Sequence, residues 1–125
     1  MIDALFNDAN YVAAKKLLDA TALRHEAIAS NLANIETPNY KRLDVDPSFT
    51  TELKQALSSN DPDQLAALQP KMEVDPTAVS QSSDGNTVNL ETELANLQQN
   101  TLANTLETQL VSSSLLRLRL AIAGH

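Results

Sequence analysis

Between Tyr11 and Ile35, the positions Tyr11, Ala14, Leu18, Thr21, His25, Ile28, Leu32 and Ile35 succeed one another at steps of three and four. Side chains at that spacing share one face of a helix, so the segment is predicted to be one long helix with a heptad seam. Asn10 is placed to cap it. No Gly or Pro intervenes before Pro38, which biases Thr37 away from helical dihedrals and ends the run. The last third repeats the pattern at Leu90, Leu94, Leu97, Thr101, Asn104, Thr108, Val111, Leu115, Leu118 and Ile122. Asn89 is the expected cap there, Glu91 and Glu93 suit the positive end of the helix dipole, and Arg117 and Arg119 suit the negative end. Gly124 follows as a stop signal. Leu102, Leu106 and Leu110 make a second apolar stripe on this helix, which predicts more than one neighbour.

The segment between the two helices loses this periodicity and gains Pro, Asp and Ser. Asp46-Pro47 and Asp61-Pro62 each place a capping residue before a proline at a first helical position, and Gln64 can complete a capping box with Asp61. Two short helices are expected, one lined by Phe49, Leu53 and Leu57 and the other by Leu65 and Leu68. From Lys71 to Val79 the pattern supports at most a weak strand, and Gln81–Asn86 reads as a mobile, turn-rich linker. The insert is expected to be surface-exposed and partly disordered. The fold class is therefore mainly α: long N- and C-terminal helices closing as an antiparallel coiled-coil-like hairpin around a loop-rich insert. Its expected divisions are 1–42, 43–86 and 87–125, the two ends together forming one axial domain.

Composition narrows the chemistry. With 125 residues and four aromatics the chain has room for one domain and few large side chains to fill it. Two glycines exclude a Gly-rich phosphate loop, and the absence of cysteine excludes disulfides, thiolate metal sites and cysteine nucleophiles. The net charge of −7, with four basic against eight acidic residues from Lys41 to Asp84, disfavours nucleic acid as a partner. The start, Met1 to Asp8, lacks the basic region and apolar run of a Sec-type signal peptide.

No catalytic, cofactor or metal site is expected. His25 has no second ligand at metal spacing and reads as a packing or hydrogen-bonding residue. Ser80 to Glu91 matches a calcium loop only at its fifth, sixth and twelfth positions, and is better explained as a turn leading into a helix cap. The carboxylate pairs Asp44/Asp46 and Asp61/Asp63 read as solvating charge, and Ser112–Ser114 as small residues that let helices approach. No nucleophile, base and oxyanion donor can be assembled into a hydrolase.

The densest signal is at the exit of the first helix, where Asn31 and Asn34 precede Thr37-Pro38-Asn39-Tyr40-Lys41-Arg42. Physically this is a helix end, a proline turn and an exposed aromatic flanked by two cations. It resembles the motif that closes the N-terminal helix in the bacterial flagellar rod and hook family. Asn39 stands where that family usually has glycine, and Asn is the next most tolerant of left-handed dihedrals. The short length, the Asp84-Gly85-Asn86-Thr87-Val88-Asn89 entry to the last helix and the Leu115–Ile122 ending are similar to the proximal rod members.

The resemblance implies a structural component of the basal-body rod that is exported by the flagellar type III apparatus without a cleaved signal peptide. Its expected partners are other rod and basal-body subunits, the export apparatus and copies of itself. From heptad phase, the expected assembly contacts are Leu18, Ile28, Leu32, Ile35, Leu94, Leu97, Val111, Leu115, Leu118 and Ile122. The competing reading is a cytoplasmic helical coiled-coil adaptor or secretion chaperone, which needs the helices but not the Thr37–Arg42 motif.

Overall fold

The computed structural model describes residues 9–123. Six elements follow in order: α1 (Ala9–Ala33), β1 (Leu43–Val45), α2 (Ser48–Ser59), α3 (Pro62–Ala67), β2 (Met72–Val74) and α4 (Leu90–Ala123). The protein is mainly helical, as its periodicity predicts. At about 1.5 Å per residue, α4 runs roughly 50 Å and outreaches α1. The two helices are antiparallel, since Asn31 near the end of α1 meets Glu93 near the start of α4, while Thr21 meets Asn100 and Glu107.

Local sequence sets the helix ends. The Asp46 side chain accepts from the Ser48 N–H at 2.9 Å and Pro47 already has helical dihedrals, so α2 starts at the expected Asp-Pro. Asp61 accepts from the N–H groups of Asp63 and Gln64 at 3.1 and 3.2 Å, with Pro62 opening α3. Asn89 caps α4 through the Thr92 N–H at 3.0 Å. Asn10 does not cap α1: it lies within a helix that already includes Ala9. The helix also stops at Ala33, short of the seam position Ile35, because the turn before Pro38 draws the chain away first.

The insert carries a strand pair in addition to its two expected short helices. β1 and β2 pair antiparallel with Leu43 opposite Val74, Asp44 opposite Glu73 and Val45 opposite Met72. Backbone bonds from Asp46 to Lys71 and from Asp75 to Arg42, at 2.8 and 2.9 Å, extend the ladder at both ends. Phe49, Leu53 and Ala56 of α2 and Leu65 of α3 are buried against Ala13, with Ala9, Val12, Leu17 and Ala20 of α1 packed around them. Burial of a Phe or Leu is worth about 1.5–3 kcal/mol. The main apolar core thus lies between α1 and the insert, on a face of α1 that the heptad reading did not single out. Alanines there let α2 come close.

The α1–α4 contact corrects the predicted seam. Glu93 and Asn100 are buried on α4, whereas Leu94 and the seam positions Thr101 and Thr108 are exposed. The inward face is turned by roughly a quarter turn from the predicted one. His25, on the predicted seam, is exposed too. Ile28, expected at a contact between subunits, is 1% exposed and fills the interior of the chain itself. The Leu118 side chain and Gly124 lie outside the described residues, as does the segment from Met1 to Asp8.

Candidate functional site

The exit from α1 forms a latch with the segment leading into α4. Asn34 turns back to bond the Ser30 carbonyl at 2.8 Å, and the Thr37 N–H bonds the Asn34 carbonyl at 2.9 Å. Carbonyls at a helix end lack intrahelical partners. Buried Asn86 supplies them: its Nδ2 lies 2.8, 3.1 and 2.9 Å from the carbonyls of Asn34, Ile35 and Thr37. Asn39 takes left-handed dihedrals at φ 61° and donates its N–H to the Asp84 carbonyl at 2.9 Å. Opposite it, Gly85 has φ 80°, and a Cβ there would collide with the Asn39 side chain. Lys41 reaches the Gly85 carbonyl at 3.3 Å. The Gln81–Asn86 stretch, read as a mobile linker, thus supplies half of the latch.

Beneath the turn lies a polar interior. Asn31 is fully buried and treats Leu43 as a strand neighbour would, donating to its carbonyl and accepting from its N–H, both at 2.8 Å. Its Oδ1 also accepts from the Tyr40 hydroxyl at 3.2 Å, and that hydroxyl lies 2.9 Å from Ser30 Oγ. Arg42 points inward, where its Nε bonds Glu93 and its Nη1 bonds Asp44 at 3.1 Å and Asp75 at 2.8 Å. Nη2 is buried without a partner among the described residues. Arg24 adds a further pair with Asp44 at 3.2 Å. The exposed aromatic between two cations expected from the sequence is instead a half-buried Tyr40 beside one exposed lysine and one buried arginine.

Electrostatics follow from this packing. Burial opposes the Arg42 charge, but hydrogen bonds to Glu93, Asp44 and Asp75 outweigh it and hold the guanidinium above its ordinary pKa. The Asp75 carboxyl is held below the usual range, first by the Thr77 hydroxyl and then by Arg42, against the cost of burial. Asp44 is therefore part of an ion-pair network and not merely solvating charge. The attraction within a buried ion pair can fall short of its desolvation cost, so the intact cluster adds little net stability while loss of one partner is costly. This cluster fixes where α1, the strand pair and α4 meet.

Further along, the seam between α1 and α4 is also polar. Four groups converge on Thr21: its Oγ1 lies 2.9 Å from both the Leu18 carbonyl and Glu107 Oε2, Asn104 Nδ2 reaches Oγ1 at 3.3 Å, and Asn100 bonds the Thr21 carbonyl at 2.9 Å. Burial pushes the Glu107 pKa up, and the Thr21 hydroxyl pulls it part of the way back. The leucines lie elsewhere. Leu102, Leu106, Leu110, Leu116 and Leu120 are all more than half exposed, on the side of α4 turned away from α1.

The motif residues Asn31, Asn34, Thr37, Pro38, Asn39, Tyr40, Lys41 and Arg42 are thus brought together around one turn. Of the expected contact residues, Leu94, Leu115 and Ile122 are exposed, while Leu18, Leu32, Ile35, Leu97 and Val111 are half-buried. Asn86, Thr87 and Glu93 were missed as site residues. Thr87 Oγ1 accepts the Arg42 N–H at 2.8 Å, and the Thr87 N–H bonds the Tyr40 carbonyl at 3.0 Å. A carboxylate at a seam-adjacent position, Glu93, was the one available signal for a buried cation. Among the described residues no cluster of His, Asp or Glu is arranged to hold a metal ion, and no helix is long and apolar enough to cross a membrane.

Comparison with known proteins agrees with where this geometry is concentrated. Residues 18–41 match the family described as flagella basal body rod protein, a span that ends inside the latch. The chain is 30% identical over 114 residues to the flagellar basal body rod protein FlgB of Borrelia hermsii, an alignment covering 78% of this chain and 83% of that protein. It is 42% identical over 50 residues to FlgB of Borreliella burgdorferi, covering 40% of this chain and 36% of the relative.

Proposed function

Because the chain belongs to the family of flagellar basal body rod proteins, we propose that it polymerises into the proximal rod through its long helices and acts there as a structural part of the motility machine. Membership of that family makes the chain a component of the flagellar basal body rod. The observation that carries polymerisation through the helices is the face of α4 turned away from α1. That face holds Leu102, Leu106, Leu110, Leu116 and Leu120, while the face that closes the hairpin is lined by Glu93, Asn100, Asn104 and Glu107. Exposed apolar surface on this scale marks an interaction site. A helix that pairs within its chain by polar contacts and exposes its leucines is suited to neighbours.

In this reading the subunit reaches the rod through the flagellar export apparatus, and its partners are other rod and basal-body subunits together with copies of itself. The latch residues hold α1, α4 and the insert in one arrangement, so that every copy presents the same faces. The role is architectural, with no catalytic step. The test is to purify basal bodies from cells carrying an epitope-tagged chain and from cells with a disabled export apparatus. Incorporation into basal bodies that depends on export is expected. Recovery of the chain only as a soluble cytoplasmic complex with export substrates would overturn the rod reading in favour of an adaptor.

A further inference from the structure

A groove of about 360 Å³ opens where α1, the corner between β1 and α2, and α4 meet. Its lining combines the apolar side chains of Leu17, Val45 and Phe49 with the carboxylates of Asp44, Asp46 and Glu107 and the single cation Arg24. Arg24 is already committed to Asp44. Among the described residues, the Thr21 hydroxyl is the hydrogen-bond partner of Glu107, and no cation pairs with it. The groove therefore offers apolar contact together with two carboxylates, Glu107 with no cation beside it and Asp46, which caps α2 and feels Lys71.

The far end of α4 is its chemical complement. Leu116 and Leu120, one helical turn apart, are 53% and 61% exposed. Arg119 sits three residues beyond Leu116 and Arg117 three before Leu120, so the two cations flank the leucine pair on either side. These arginines are the only basic residues of α4. They cannot serve the groove of their own chain, because Arg117 and Arg119 lie ten and twelve residues beyond Glu107 on one helix, about 15 and 18 Å along its axis.

We propose that the Leu116–Leu120 end of α4 in one copy seats in the α1–α2–α4 groove of a second copy, with Arg117 and Arg119 meeting Asp46 and Glu107. This rests on the rod reading and names one of its contacts. The two surfaces differ, so the contact is heterologous: each copy offers its α4 end forward and its groove behind. Repetition of such a contact extends an assembly instead of closing a dimer. It also gives Glu107 a cation, which no described residue of its own chain supplies.

Because the natural chain has no cysteine, paired cysteines read the contact directly. Thr50 borders the groove and is exposed, as is Leu120, so neither change disturbs the core. Basal bodies from cells carrying T50C/L120C are oxidised mildly and run without reductant. Disulfide-linked dimers and higher species of this chain are expected, and neither single variant forms them. Adding Arg117→Glu and Arg119→Glu lowers their yield about tenfold, the effect of roughly 1.4 kcal/mol. If the chain is present in basal bodies but links only to a different protein, or not at all, the contact is wrong while the rod reading stands. Dimers formed equally well by L120C alone overturn it too. Absence of the chain from basal bodies removes the rod reading and this contact with it.

Discussion

At the residue scale, Arg42 and Glu93 are joined in an interior from which Glu93 has no exposure at all. Removing one partner of such a pair strands the other charge and costs about 3–5 kcal/mol. Arg42→Ala is expected to lower stability by that amount in urea denaturation, whereas Lys41→Ala, one position away and exposed, stays within about 0.5 kcal/mol. The pairing at the turn is equally particular. Asn39 has φ 61°, which glycine adopts freely and alanine does not, so Asn39→Gly should be nearly neutral and Asn39→Ala should cost about 1 kcal/mol. Gly85→Ala is expected to cost at least as much as Asn39→Ala, since φ 80° strains any Cβ and the Asn39 side-chain oxygen must also swing aside. Thermal melts of the three variants give the ranking, and a stable Gly85→Ala would refute the latch geometry. The sequence indicated the turn and its left-handed residue. It did not indicate that Asn31 would spend its amide on Leu43, because that bond joins a helix to a strand the periodicity left unspecified.

At the element scale, pH separates two carboxylates with opposite signs. The folded state holds Asp75 below its ordinary pKa, so its contribution is present at neutral pH and is lost as pH falls through the folded value. Glu107 is raised, so the folded state binds its proton more tightly. Stability therefore declines as pH rises from the ordinary carboxylate range through the raised value, and the penalty is complete above it. Asp75→Asn should flatten the acid limb of a stability-against-pH curve. Glu107→Gln should be more stable than the parent at neutral pH, with the difference vanishing in acid. A Glu107→Gln variant that loses stability at neutral pH would mean that the charge is compensated in the free chain. The helices themselves were legible from spacing, as were the Asp46, Asp61 and Asn89 caps, because capping is decided within four residues. The β1–β2 pair was not, since its two three-residue strands lie 26 residues apart, counted from Val45 at the end of β1 to Val74 at the end of β2, less the three of the second strand.

At the scale of the whole molecule, the arrangement is one apolar core between α1 and the insert, one polar hairpin between α1 and α4, and an α4 that exposes leucines along its outer side. Leu115 is 42% exposed and contributes little to the interior. Leu115→Asp is expected to leave folding within about 0.5 kcal/mol and soluble yield unchanged, yet to abolish incorporation into the rod and swimming in soft agar. Full motility of that variant would exclude this part of α4 from the assembly surface. Such a division of surfaces suits a chain whose apolar residues are too few for a large core of its own.

What the sequence by itself determined is local or compositional: two long helices, their caps, the proline turn, the absence of cysteine chemistry and a motif dense enough to indicate a family. Each of these depends on neighbours a few residues apart or on residue type alone. The tertiary structure decided which face of α4 turns inward, and it chose neither apolar stripe whole but a polar face turned from the predicted seam, because contacts across the fold and not spacing settle that choice. Glu93 and Asn100 won over Leu94 by finding partners on α1 and at Arg42 that periodicity does not register. Ile28 was withdrawn to the interior and Leu102 left outside for the same reason. Hydrogen bonds and ion pairs between residues 50 to 90 positions apart carry no period along the chain, so only folding reveals them.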